Sequence, residues 1–237
     1  MSRLRGEGSE LFSDHVKGAS IAFDLDGTLV DTAPDLVRAL NEVVEPEGLE
    51  PVPVAEVRAM VGRGARVLIE RAYAAQGRAL IGDEVDAHVR RFIDVYRAGI
   101  ADRSQPFPGC IEALDGLKAA GAHLSVCTNK PSELADLLLQ TLDMDRYFDR
   151  VIGPDRTPAK KPDAAHLFAS VSPGAKRIVL VGDSEPDATC AKAAGVPLIL
   201  MTHGYSEVPV STLGADRLLD SFVELADALE VVLPVSP

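Results

Sequence analysis

Asp24 and Asp26 stand two residues apart in Phe23-Asp24-Leu25-Asp26-Gly27-Thr28, directly after a short apolar run. Asp183 and Asp187 stand four apart in Gly182-Asp183-Ser184-Glu185-Pro186-Asp187, directly after another. A phosphate monoester is dianionic and an attacking carboxylate is also an anion, so their reaction needs strong local positive charge. Magnesium supplies it and is bound by one or two carboxylates together with phosphate and water, a role that suits Asp24 and Asp183. Asp187, one helical turn beyond Asp183, is placed to orient the ion's water shell. Thr128-Asn129 follows a third apolar run and offers a hydroxyl and an amide as donors to phosphoryl oxygens. Taken alone, Asp24-Leu-Asp26-Gly27-Thr28 also suits a plain turn or a calcium loop. The calcium loop requires a further acidic or asparagine residue at its fifth position, where this chain has Thr28. Gly27 permits a sharp turn, which the Thr28 hydroxyl is placed to cap.

The elements that position these groups are legible as alternating patterns. Residues 20–24, 123–128, 177–181 and 197–201 read as buried strands ending in polar turns. Residues 111–120, 132–142, 164–171 and 187–194 read as helices, two of them closed by Gly121 and Gly195. This alternation predicts an α/β fold: a parallel, Rossmann-like sheet covered on both faces, with the site at the carboxyl ends of the strands. Residues 35–104 break the rhythm and read as three or four helices punctuated by prolines and by Gly62 to Gly64. The expected organisation is an N-terminal extension (1–18), a core domain (19–34 and 105–237) and an inserted helical cap domain (35–104).

The 237 residues are nearly half hydrophobic, enough for a sizeable core. The net charge of -12 argues against a nucleic-acid interface. The insert carries ten arginines, no lysine and twelve acidic residues, a net of -2 that leaves -10 for the rest. Three cysteines, Cys110, Cys127 and Cys190, match no disulfide or zinc spacing and suit a reducing compartment. The first residues lack a signal-peptide pattern and no run reaches membrane-span length, so the expectation is a cytoplasmic protein without a membrane partner. The five histidines lack metal-ligand spacing and are expected to be surface or packing residues.

The four motifs in this order, with Lys160-Lys161-Pro162 as the third, resemble the haloacid dehalogenase superfamily. The resemblance implies that Asp24 is a nucleophile forming an aspartyl-phosphate. Asp26 is then general acid and base, and its backbone carbonyl joins Asp24 and Asp183 on Mg2+. Lys161, by its place before the proline, neutralises the nucleophile and the phosphoryl group, with Lys160 as the competing assignment. Asp26 disagrees with dehalogenases, which lack that residue. Residues 27–35, 60–65 and 107–131 are similar to the phosphoglycolate phosphatase group, which implies hydrolysis of 2-phosphoglycolate to glycolate and phosphate under a closing lid. The alternatives are a related sugar-phosphate phosphatase, a pyrophosphatase, a phosphomutase or a catalytically silent binding module. Arg63, between two glycines, is expected either to pair with the substrate's carboxylate or to tether the lid to the acidic core. The expected partner is a small phosphorylated substrate, and the protein is expected to be a monomer or homodimer.

Overall fold

The computed structural model describes residue 12, residues 14–58 and residues 60–233, so the N-terminal extension expected at 1–18 lies largely outside the described residues. The strands are β1 (Ser20–Phe23), β2 (Val30–Asp31), β3 (Gln105–Pro106), β4 (His123–Cys127), β5 (Arg150–Ile152), β6 (Ile178–Gly182), β7 (Leu198–Met201) and β8 (Arg217–Leu219). The helices are α1 (Ala33–Val44), α2 (Val54–Arg58), α3 (Ala65–Ala74), α4 (Asp83–Ala98), α5 (Cys110–Ala119), α6 (Ser132–Thr141), α7 (Ala164–Ser170), α8 (Glu185–Ala194) and α9 (Leu225–Val232). Six strands form one parallel sheet in the order β5-β4-β1-β6-β7-β8. Every residue of β1, β6 and β7 is buried, as strands covered on both faces must be, and this explains their unbroken apolar runs.

Register delivers the site. Phe23 pairs with Val126 on one side and Val181 on the other. Asp24, one residue past Phe23, and Thr128 and Asp183, each two past its partner, therefore emerge together at the carboxyl edge. The predicted strands fall on β1, β4, β6 and β7, while β5, β8 and α9 add to that reading. Asp187 does not begin its helix as expected. α8 starts at Glu185, with Ser184 as N-cap, and Asp187 is the third helical residue, closing a capping box with Ser184.

The helical insert runs between β2 and β3, which pair antiparallel as its two-stranded stem. Helices α1 and α3 both pack on α4. The apolar face of α1, including Leu36, Leu40 and Val43, is buried in the same cluster as Phe23 and Leu134 of the core. At the stem, the buried Asp35 carboxylate accepts hydrogen bonds from the Arg103 and Ser104 amides and the Ser104 hydroxyl at 2.7–2.9 Å. One side chain thereby fastens the segment leaving the core to the segment returning to it. Among the described residues no helix is long and apolar enough to cross a membrane.

Candidate active site

The loop after β1 supplies Asp24 and Asp26 and sends them in different directions. Asp24 Oδ1 accepts from the Leu25 amide at 2.7 Å and pairs with Lys161 Nζ at 2.9 Å. Asp26 Oδ1 accepts from Thr32 Oγ1 at 2.7 Å and from Lys130 Nζ at 2.8 Å. Lys161 is 2 % exposed and also reaches Asp187 Oδ1 at 2.7 Å, whereas Lys160 is exposed. Of the two adjacent lysines, Lys161 is thus the one that meets the carboxylates.

Asp183 is held from both sides. Thr28 Oγ1 donates to Oδ1 at 2.6 Å and the Tyr205 amide donates to Oδ2 at 2.7 Å. The Thr28 hydroxyl thus orients Asp183 rather than capping its own turn. Such close approach requires glycines. Gly27 lies at φ +86°, and a Cβ there would stand 2.7 Å from Asp183 Oδ2 and 2.8 Å from the Tyr205 ring. A Cβ on Gly204 would stand 2.1 Å from Asp183 Cβ. Asp187 Oδ2 accepts from the Asp183 and Ser184 amides at 3.3 and 3.2 Å while Oδ1 holds Lys161, so both of its oxygens organise the loop.

Asp24, Asp183 and Asp187 each offer a carboxylate oxygen, all within 4.8 Å of one another, and all three residues are buried. Two of these three carboxyl groups, Asp24 and Asp187, pair with one ammonium, Lys161. Burial, followed by the charges of Asp187 and Asp24, pushes the Asp183 carboxyl well above its ordinary range. Burial also drives Asp24 up to about 6, with Lys161 opposing and Asp187 reinforcing the shift. A buried, all-oxygen donor set with excess negative charge fits a hard divalent cation such as Mg2+.

A space opens above Asp24, Asp26 and Thr128, between the core and the cap. Asn129 lines it, but its amide donates to the Gly62 carbonyl of the cap at 3.0 Å and to the Lys161 carbonyl at 3.2 Å. Its side-chain amide here forms a strut between cap and core. Arg63 does not line this space. Its guanidinium pairs with Glu185 at 2.7 Å and Glu207 at 3.2 Å, both on the core. Arg58 with Asp31 at 3.0 Å and Arg97 with Glu133 at 2.9 Å repeat that pattern, and Arg71 also reaches Glu207. These contacts join Arg63 of the cap to the acidic core. Exposed pairs of this kind contribute little each. Arg63→Ala is accordingly expected to leave KM within about threefold of wild type at moderate salt. A tenfold rise in steady-state KM would instead place Arg63 on the substrate.

Sequence reasoning passed over Lys130 and Tyr96. Lys130, 6 % exposed, donates to Asp26 and to Tyr96 Oη of α4 at 2.9 Å, and its ammonium lies 4.4 Å from the Tyr96 ring centre. Burial works against its charge, but Asp26 and Tyr96 hold its pKa above the ordinary lysine value. Burial raises the Tyr96 hydroxyl to about 12. His166 fulfils the packing role expected of the histidines, since its two ring nitrogens face the Ala159 and Ile152 carbonyls at 3.0 and 3.1 Å. The three cysteines are buried and unbridged.

A family model described as haloacid dehalogenase-like hydrolase matches residues 21–201. A phosphoglycolate phosphatase of Caulobacter vibrioides is 52 % identical over 225 residues, covering 94 % of this chain and 95 % of that protein. One from Agrobacterium fabrum is 44 % identical over 210 residues, covering 87 % and 90 %. Among solved structures, a "predicted phosphoglycolate phosphatase" from Haemophilus somnus 129PT superposes with a TM-score of 0.81 at 30 % identity, covering 91 % of this chain and 98 % of its own. With motifs, sheet order and helical insert all in agreement, the chain belongs to the haloacid dehalogenase-like hydrolase family.

Proposed function

We propose that this phosphatase hydrolyses 2-phosphoglycolate to glycolate and phosphate through a phosphorylated Asp24. The observation that carries the substrate is the 52 % identity, across nearly the whole chain, to a relative of that activity. Asp24, Asp183 and the Asp26 carbonyl would hold Mg2+, which when bound supplies the positive charge that lets a carboxylate approach a phosphate dianion.

The remaining work belongs to the chain's own groups. Lys161 and the Leu25 amide fix Asp24 Oδ1, which leaves Oδ2 to attack phosphorus as the bond to the glycolate oxygen breaks. Asp26 gives a proton to that leaving oxygen and then removes one from the water that attacks the aspartyl-phosphate, releasing phosphate and restoring Asp24. Thr32 and Lys130 both donate to Asp26 Oδ1, which leaves Oδ2 to give and take the proton. Thr128 and Lys161 orient the phosphoryl group, and the cap keeps bulk water away.

A panel of phosphate esters assayed with Mg2+ tests the substrate. The expected kcat/KM is highest for phosphoglycolate, and a sugar phosphate or pyrophosphate turned over tenfold better would refute it.

A further inference from the structure

We propose that Lys130, oriented by Tyr96 of the cap, binds the carboxylate of the substrate and so sets specificity for an acidic two-carbon phosphate ester. This rests on the phosphoglycolate reading and names the group that selects it. Among the described residues that line the space above Asp24, Lys130 is the only cation. The wall around it is apolar, with Leu36, Leu68, Phe92 and Leu134, and offers a second anionic group no other charged partner. Arg63, the other candidate, does not line this space and pairs with Glu185 and Glu207.

The donor count fits. A lysine ammonium has three N–H donors. One goes to Asp26 at 2.8 Å and one to Tyr96 Oη at 2.9 Å, which leaves a third for a ligand. The spacing fits as well. In phosphoglycolate the carboxyl carbon lies two bonds, roughly 2.5 Å, from the ester oxygen. With that ester oxygen at Asp26, the carboxylate falls beside the ammonium 2.8 Å from Asp26. A longer or neutral tail would instead meet the apolar wall. The Tyr96 hydroxyl comes from α4, so the carboxylate site is complete only with the cap closed on the core.

Steady-state kinetics on phosphoglycolate and on 2-hydroxyethyl phosphate, its neutral analogue, separate recognition from mere support of Asp26. Lys130→Met is expected to lower kcat/KM for phosphoglycolate at least about 30-fold more than for the neutral ester, with the difference carried by KM, as befits loss of a charged hydrogen bond. Equal losses on both esters would overturn the proposal and leave Lys130 as a positioning residue for Asp26. Should Lys130→Met fail to fold by circular dichroism, Tyr96→Phe decides. A selectivity reduced roughly threefold or more supports the carboxylate site, and an unchanged one overturns it. Absence of phosphoglycolate turnover in the wild type would strike the proposed substrate itself, an outcome distinct from equal losses in the variants.

Discussion

Asp24→Asn is expected to lower kcat at least about 10⁴-fold on every phosphate ester, because the amide is no nucleophile and no other carboxylate stands in its place. Its fold is expected to survive. The asparagine keeps the size and the acceptor for the Leu25 amide, and Lys161 retains Asp187 at 2.7 Å. The folded Asp24 carboxyl titrates near 6, above its ordinary 3.8. Its contribution to stability is therefore fully present below about 3.8 and lost as pH rises through about 6. At pH 7 the charged residue is a liability that asparagine removes. In a chelating buffer, Tm of the variant should equal or exceed that of the wild type. Activity within tenfold of wild type, or a Tm lower by more than about 5 °C, would contradict this account.

Mg2+ added to the chelator-treated protein at pH 7 is expected to raise Tm by roughly 5–10 °C at a hundredfold excess over its dissociation constant. The gain comes from neutralising Asp24 and Asp183, whose carboxyls are both pushed upward by burial and by neighbouring acids. Protons compete for the same oxygens, so the gain should shrink as pH falls through about 6, where Asp24 takes up its proton. Differential scanning fluorimetry reads both effects without any turnover. A pH-independent shift, or none at all, would mean that these carboxylates do not receive the ion.

The parts of this site that could be read from the chain are those written locally. β1, β6 and β7 are buried on both faces and so announce themselves as apolar runs, and the acidic residues follow immediately after. β5 and β8 are three residues each and only partly buried, too short for any periodicity to register. Lys130 and Tyr96 were hidden for another reason. Their partnership with Asp26 joins positions 26, 96 and 130, which only tertiary packing brings together. The glycines beside Arg63 suggested reach toward the substrate, but its direction was decided by Glu185 and Glu207, more than a hundred residues away. Asn129 shows the same limit, for its amide is claimed by the cap's Gly62 carbonyl and by Lys161.

The covalent route through Asp24 is tested most directly by rapid acid quench of the enzyme turning over 32P-labelled phosphoglycolate, followed by peptide mapping. The account predicts a hydroxylamine-labile label on the peptide bearing Asp24, with none in Asp24→Asn. Full turnover with no label, or a label on any other residue, would contradict it.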